Sequence, residues 1–351
     1  MKTILVTGGA GYIGSHTCLL LLQRGYNVIV IDSFDNSSDK AIQKVLKIIK
    51  ENNHAIKPNL HVFEGSLNNK EFIRSVFHKS QKLKLNIDGV IHFAGLKSVS
   101  ESIRNPLPYW ENNLIGTINL IDVIKSSNCK KFVFSSSATV YAYFENDILK
   151  ENSKKEPSNP YGHTKLSIEY FLEDITKSSN IDLDVACLRY FNPIGAHSSG
   201  LIGESSKGIP NNIFPLISST AISTNKILNI FGSDWPTKDG TPVRDYIHVM
   251  DLAEGHLKVL EYLFFSNDSF LQLNLGTGKG TSVLELVKLF EQVNNVKVPY
   301  MFVERRKGDY PYVVADNSFA ISKINFIPKR SLKNMCEDEW KWRKLNPRGY
   351  F

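Results

Sequence analysis

Three glycines spaced three residues apart, near the start of the chain, constrain the fold more than any other feature. Gly8, Gly11 and Gly14 follow a short apolar segment over residues 3–7 and precede a helical pattern that continues to residue 22. When glycines with this spacing form the turn between a strand and a helix, they let the backbone approach a pyrophosphate at the positive N-terminal end of the helix. The spacing is G-x-x-G-x-x-G, whereas the commonest dinucleotide fingerprint is G-x-G-x-x-G.

An acidic residue after the next predicted strand supports a dinucleotide site. Residues 27–31 form a second apolar run that ends in Asp32, at about the interval where a carboxylate meets the adenosine ribose. A carboxylate there repels a 2′-phosphate, and Ser33 follows it instead of a basic residue. The sequence therefore favours NAD over NADP, although the glycine run by itself could be a plain turn.

Predicted strands and helices continue to alternate along the first half of the chain. Strand-like segments lie at 60–63, 89–93, 131–135 and 183–189, and helical patterns lie at 40–53, 70–79 and 108–125. This alternation predicts a Rossmann-type α/β fold with a doubly wound parallel sheet. Gly and Pro interrupt the pattern after residue 192 and indicate a smaller α/β C-terminal domain. We predict one domain from residues 1–191 and 246–266, and a second from residues 192–245 and 267–351.

Two polar clusters follow predicted elements of the sheet domain. Tyr161 and Lys165 are four residues apart on a helix that begins at Pro160, where Ser158 or Asn159 can act as a cap. Residues with this spacing share a helix face, and a nearby cation lowers the pKa of a phenol. A run of serines at 135–137 ends a strand, where ligands bind in doubly wound sheets. Taken alone, each cluster is more often a solvent-exposed helix face or a surface turn. The glycine motif and Asp32 upstream favour a catalytic role for the two clusters.

Composition and spacing argue against several classes of function. The chain has 351 residues and a net charge of +7, but its basic residues are spread out, so we expect no nucleic-acid partner. Four cysteines and nine histidines show no metal-ligand spacing, which predicts no metal site. No apolar run approaches the roughly 18 residues of a membrane span, and the first residues lead directly into a strand. We therefore expect a cytoplasmic protein without a membrane partner.

Longer motifs resemble the extended short-chain dehydrogenase/reductase family and, within it, the enzymes that epimerise UDP-hexoses at C4. These motifs cover residues 6–17, 91–97, 188–193 and 243–253, and the similarity extends to residues 340–350. The resemblance implies reversible epimerisation of UDP-galactose and UDP-glucose through a 4-keto intermediate, with NAD tightly bound. It also implies a homodimer and a second domain that binds the UDP-sugar.

The resemblance assigns roles to individual residues. It implies that the catalytic group consists of Ser137, Tyr161 and Lys165. The implied NAD contacts are Gly8, Gly11, Tyr12, Ile13, Gly14, Asp32, Asn36, Ser66, Leu67, Phe93, Ala94, Lys97, Lys165 and Tyr190. The implied substrate contacts are Ser137, Tyr161, Asn192, Asn212, Phe231, Arg244, Arg306, Asp309 and Val313.

Three positions depart from the pattern of the family. Ser66 stands where an aspartate usually meets the adenine amino group, and Ala142 stands where glycine is common. Val313 stands where some members carry a tyrosine and others a small residue that admits N-acetylated sugars. Acceptance of UDP-GlcNAc and UDP-GalNAc therefore stays open at this stage.

Two alternatives compete with a C4 epimerase. Another nucleotide-sugar enzyme, such as a 4,6-dehydratase or a uronate epimerase, would use the same fold. The dehydratases usually place acids beside the catalytic threonine, whereas residues 136–139 contain no carboxylate. A non-catalytic NAD-binding protein would not require Ser137, Tyr161 and Lys165 together.

Overall fold

The computed structural model describes residues 1–52, 59–143, 148–208, 210, 212–223, 225–306 and 308–351. The last residue of the helix predicted over 40–53 lies outside these ranges. In chain order the elements are β1 (Thr3–Thr7), α1 (Tyr12–Gln23), β2 (Asn27–Asp32), α2 (Asp39–Asn52), β3 (Leu60–Glu64), α3 (Lys70–Lys82), β4 (Ile87–His92), α4 (Val99–Arg104), α5 (Leu107–Tyr109), a π-helical segment (Trp110–Ile115), α6 (Gly116–Lys125), β5 (Lys131–Ser137), a 3₁₀ turn (Ala138–Val140), β6 (Ile148–Leu149), α7 (Pro160–Lys177), β7 (Asp184–Tyr190), β8 (Asn192–Ile194), α8 (Ile213–Ala221), β9 (Leu228–Phe231), β10 (Val243–His248), α9 (Val249–Phe265), β11 (Phe270–Leu275), β12 (Gly280–Ser282), α10 (Val283–Asn294), β13 (Tyr300–Val303), β14 (Tyr312–Ala315), α11 (Ser318–Ile324) and α12 (Leu332–Leu345).

Seven parallel strands form the main sheet, in the order β3-β2-β1-β4-β5-β7-β11. Its central strands are apolar runs that are buried along their length, as β1 and β2 show, because helices cover both faces. The strand order reverses between β1 and β4, which opens a crevice at the carboxyl ends of the strands. The predicted Rossmann-type α/β class is confirmed.

Helices pack on both faces of this sheet through separate apolar clusters. On one face α1, α2 and α9 contribute side chains such as Leu19, Val45 and Leu260. On the other face α3, α6 and α7 contribute side chains such as Ile73, Leu120 and Leu172. Because α7 is anchored in this core, its first turn is held at the carboxyl end of β5. No helix in the described ranges is long and apolar enough to cross a membrane.

The later part of the chain forms two smaller sheets beside the crevice. In one, β10 pairs with β8, β12 and β14, and β6 joins through β14; the other pairs β9 with β13. A third apolar cluster includes Phe214, Leu286 and Phe290.

One predicted domain boundary needs correction. We predicted that residues 267–351 belong to the second domain, but β11 lies in the main sheet, where it pairs with β7 and buries three leucines, Leu271, Leu273 and Leu275. The division into two domains otherwise stays a prediction.

Candidate active site

The glycine turn after β1 lies at the crevice and lines its cavity. Gly8 has φ +67°, and its N–H donates to the carbonyl of Ile31 at 2.7 Å. A Cβ atom on Gly14 would lie 2.2 Å from the Gly8 oxygen, so only glycine lets α1 approach the turn this closely. Gly11 precedes α1, and a Cβ there would meet only the Gly8 oxygen, at 3.1 Å. Gly11 and Tyr12 both line the cavity, so the N-terminal end of α1 faces it.

A cavity of about 570 Å³ runs from this turn across the carboxyl ends of the strands to the smaller sheets. The structure brings together in its lining every residue to which we assigned a catalytic, cofactor or substrate role. These residues are Gly8, Gly11, Tyr12, Ile13, Gly14, Asp32, Asn36, Ser66, Leu67, Phe93, Ala94, Lys97, Ser137, Tyr161, Lys165, Tyr190, Asn192, Asn212, Phe231, Arg244, Arg306, Asp309 and Val313.

The Asp32 carboxylate is fixed at the wall of the cavity by three donors. Its Oδ2 accepts from the Ala10 N–H at 2.9 Å, and its Oδ1 accepts from the Phe34 N–H at 3.0 Å and the Ser37 hydroxyl at 2.7 Å. A carboxylate has about four acceptor positions. One acceptor position of the Asp32 carboxylate is thus left for a hydroxyl group of a ligand. The predicted contact with a ribose hydroxyl requires such a position.

Tyr161 and Lys165 lie on the first turns of α7, beside the end of β5. Asn159 caps this helix, and its side chain accepts from the Gly162 N–H at 2.9 Å. The side chains of Tyr161 and Ser137 line the cavity together, close enough for Ser137 to lower the pKa of Tyr161. The Nζ atom of Lys165 lies 5.8 Å from the centroid of the Tyr161 ring. The predicted juxtaposition of a phenol, a cation and a serine hydroxyl is therefore present.

The electrostatics of this pair differ from the sequence-based expectation. We predicted that a cation near Tyr161 lowers its pKa, but in this structure the effect of burial is larger and the net shift is upward. Burial raises the pKa of Tyr161 to about 12, and the hydrogen bond with Ser137 opposes this shift only in part. Burial also lowers the pKa of Lys165 to about 7, against the attraction of Glu169. Both side chains are thus biased toward their neutral forms.

Basic and polar side chains line the cavity beyond Tyr161. Arg244 on β10 is paired with Asp309. The guanidinium carbon of Arg306 lies 4.4 Å from the centroid of the Phe231 ring. A guanidinium fork matches phosphate oxygens, and an aromatic ring offers a flat face to a base. This part of the cavity can therefore hold a nucleotide diphosphate.

The chain is similar to known proteins over its whole length. A family model described as GDP-mannose 4,6 dehydratase matches residues 5–339. A UDP-glucose 4-epimerase of Bacillus subtilis is 48% identical, over 99% of this chain and 98% of its own. A bifunctional UDP-glucose 4-epimerase and UDP-xylose 4-epimerase 1 of Pisum sativum is 47% identical, over 99% of this chain and 97% of its own. This chain belongs to the UDP-glucose 4-epimerase family. The predicted membership of the extended short-chain dehydrogenases/reductases is thereby confirmed.

Solved structures of UDP-glucose 4-epimerases share the fold. The enzyme of Bifidobacterium longum, in complex with NAD⁺ and UDP, has a TM-score of 0.92 and 40% identity, and the match covers 99% of this chain and 100% of that one.

Some residues that organise this epimerase-family site carried no sequence signal. Asn113, in the π-helical segment, accepts from the Leu96 N–H at 2.8 Å and donates to the Thr164 hydroxyl at 3.1 Å. Glu204 accepts from both Lys97, at 2.8 Å, and Asn212, at 2.7 Å, on the same oxygen. These partners are too far apart in the chain for spacing to reveal them, and matching conserved polar positions across relatives is the signal that would have done so.

Proposed function

We propose that this protein interconverts UDP-galactose and UDP-glucose by reversible epimerisation at C4 of the hexose. The observation that carries this proposal is the position of Tyr161. It lies beside Ser137 in one cavity that joins the glycine turn to Arg244 and Arg306. An acid/base group therefore lies between a predicted dinucleotide site and a predicted UDP site, where the C4 hydroxyl of a bound hexose can reach it.

The residues at the glycine turn fit NAD. The glycine turn and the first residues of α1 line the cavity, so a pyrophosphate can approach the N-terminus of α1, and Asp32 has an acceptor position for the adenosine ribose. When bound, NAD⁺ supplies the hydride acceptor for oxidation at C4 and, once reduced, the hydride donor for the return step.

Tyr161 acts as the proton carrier in this proposal. As phenolate it accepts the proton of the 4-hydroxyl while C4 loses hydride, and it returns the proton when hydride comes back to the opposite face of the 4-keto sugar. Ser137 hydrogen-bonds in the same site. Because burial raises the pKa of Tyr161 to about 12, the phenolate needs positive charge close by. A protonated Lys165 and the charged nicotinamide ring supply it.

Arg244, Arg306 and Asn212 anchor the UDP part of the substrate. Binding energy from this remote part holds the substrate while the hexose itself makes few fixed contacts. A loosely held 4-keto sugar can turn over between the two hydride transfers, which inversion at C4 requires.

Conversion of UDP-galactose without added NAD tests this proposal. Purified protein is incubated with UDP-galactose, and the anomeric signals of UDP-glucose are followed by NMR. We expect UDP-glucose to form to equilibrium, because NAD is regenerated in every cycle and stays bound. Absence of UDP-glucose, with and without supplied NAD, would contradict the proposal.

A 4,6-dehydratase is the second candidate, because the matching family model is described as GDP-mannose 4,6 dehydratase. Among the described residues that line the cavity, the carboxylates are Asp32, Asp35 and Asp309, and none has a hydrogen bond to Ser137 or Tyr161. Loss of water from C6 needs an acid near the hexose, so this lining favours the epimerase. A 4-keto-6-deoxy product in the same NMR experiment would identify a dehydratase.

The protein is proposed to act as a homodimer through a surface on α5, the π-helical segment, α6 and α7. Leu107, Ile115, Ile118 and Tyr170 are 63%, 48%, 40% and 51% exposed. They lie on helices that pack against one another, and clustered apolar side chains of this size mark a protein interface. A second copy supplies the same surface under two-fold symmetry.

Sedimentation velocity tests the dimer. The double change Ile118→Glu/Tyr170→Glu should give a monomer, because it buries charge in the proposed interface. Phe265→Glu is the control, since Phe265 is 90% exposed at the end of α9 and the dimer should persist. A monomeric wild-type protein would overturn the proposal. The cytoplasmic location stays a prediction from the sequence.

A further inference from the structure

Three successive turns of α7 contact three successive residues of β5. The residues on α7 are spaced four apart and therefore lie on one helix face. Tyr161 lies beside the Ser137 side chain in the cavity, Lys165 donates to the Ser135 carbonyl, and Glu169 accepts from the Ser136 hydroxyl. The position of the helix along the strand is thus set at three points, and only the first is the proposed proton carrier.

The third contact is part of a buried ion pair. Glu169 and Arg189 are both completely buried. The Glu169 carboxylate accepts from Arg189 Nε at 2.9 Å and Nη2 at 2.6 Å, from the Ser136 hydroxyl at 2.5 Å and from Gln272 Nε2 at 3.0 Å. Four donors occupy the acceptor positions of the carboxylate, so its orientation is fixed.

The sheet register connects this ion pair to the active site. Ser136 on β5 lies opposite Arg189 on β7, and Ser137 lies opposite Tyr190. Ser136 directs its hydroxyl to α7 beneath the site, whereas the next residue, Ser137, lines the cavity with Tyr190. Neither Glu169 nor Arg189 lines the cavity, so the pair does not touch a ligand there.

We propose that Glu169, held by Arg189, is a positioning residue that fixes Ser136 and thereby sets the Ser137 hydroxyl against Tyr161. The inference rests on the proposed function. Small displacements of reacting groups cost large factors in rate, and the bond from Ser136 to Glu169 ties α7 to the strand residue directly before Ser137. The negative charge of Glu169 also favours the protonated form of Lys165, against the effect of burial.

Ser136→Ala tests the proposal with little risk to folding, because Glu169 keeps its bonds to Arg189 and Gln272. A matched control exists elsewhere in the chain. Ser218 is also buried and donates to a buried carboxylate, Glu339, at 2.6 Å, and this carboxylate pairs with Arg343. Ser218 does not line the cavity. Ser218→Ala therefore removes a similar hydrogen bond to a carboxylate, together with a bond from Arg343 Nε at 3.1 Å, without a path to Tyr161.

Two measurements distinguish positioning from a general loss of stability. In Ser136→Ala we expect kcat to fall about tenfold, with KM within about twofold of wild type, since alignment and not substrate binding is disturbed. In protein labelled with ¹³Cζ-tyrosine we expect the NMR signal of Tyr161, assigned through Tyr161→Phe, to shift in Ser136→Ala and not in Ser218→Ala. Glu169→Gln should show the same shift if it folds.

The proposal is overturned if Ser136→Ala keeps the wild-type kcat, if Ser218→Ala loses as much, or if the Tyr161 signal does not move. A wild-type protein that fails to convert UDP-galactose would overturn the proposed function. The Tyr161 signal would still test the positioning contact in that case, because it does not depend on turnover.

Discussion

The Nζ atom of Lys165 lies 2.6 Å from the backbone oxygen of Ser135. This bond ties the second turn of α7 to the end of β5, so the position of the ammonium group is set by the protein core. Tyr161, one turn earlier on the same helix face, is thereby held in the cavity next to Ser137. The proposed acid/base pair is therefore held in place by the fold itself, before any substrate binds.

Replacement of Tyr161 by Phe should remove most of the activity and leave the fold intact. Only the phenolic oxygen is lost, and general acid/base catalysis contributes about a hundredfold to ten-thousandfold to rate. We expect kcat for UDP-galactose, measured by NMR, to fall about a thousandfold. The melting temperature should not change, and neither should the amount of bound NAD, which is measured after it is released by denaturing the protein. Near-normal turnover would remove Tyr161 from the proposed mechanism.

Replacement of Gly14 by alanine and replacement of Gly11 by alanine should have different effects on stability and on NAD binding. At Gly14 a Cβ would lie 2.2 Å from a backbone oxygen, whereas at Gly11 it would meet that oxygen at 3.1 Å. We expect Gly14→Ala to lower the free energy of unfolding by more than about 2 kcal/mol, measured in urea. Gly11→Ala should lose less stability but bind NAD more weakly, because the methyl group occupies the space in front of α1. Equal stability of the two variants would contradict this reading of the turn.

Stability should depend on pH through Glu339. Burial raises the pKa of this carboxyl from 4.5 to about 7, although Arg343 and Ser218 oppose the shift. Between these values the folded protein binds a proton that the unfolded chain has lost, so the free energy of unfolding contributed by Glu339 falls as pH rises. The contribution is up to about 3 kcal/mol.

Urea denaturation of Glu339→Gln between about pH 4.5 and pH 7 checks the sign, because Gln cannot titrate and the variant should lack this fall. The same substitution at Glu337, an exposed residue on α12, should keep the wild-type slope. A wild-type protein that gains stability relative to Glu339→Gln across this range would refute the assignment.

Val313 should allow N-acetylated UDP-sugars to react. It lies on β14 in register with Arg244, lines the cavity and is smaller than the tyrosine of some family members. We expect conversion of UDP-GlcNAc to UDP-GalNAc by the wild-type protein and by Val313→Ala. Val313→Tyr should lose this activity and keep UDP-galactose conversion, because the ring fills the space of the acetamido group. Failure of the wild type on UDP-GlcNAc, under conditions where UDP-galactose reacts, would refute the prediction.

Local features of the site were predictable because they depend on residues close together in the chain. The glycine turn spans residues 8–14, and the helix start involves residues 159–162. Both therefore depend on residues that are neighbours in the chain. The alternating apolar runs likewise predicted the parallel sheet, since a strand buried on both faces needs a continuous apolar sequence. We misassigned β11 because its composition does not show which sheet it joins. Its pairing with β7 places it in the main sheet.

Features of the site that depend on contacts between residues distant in the chain were not predictable in the same way. The sequence by itself determined the residue types of the site, their order along the chain and the elements that carry them. Only the tertiary structure decided that burial, and not Lys165, dominates the pKa of Tyr161, because desolvation depends on the whole surrounding core. It also decided that Arg189 is paired with Glu169, two buried charges on different elements that only the folded sheet and helix bring together.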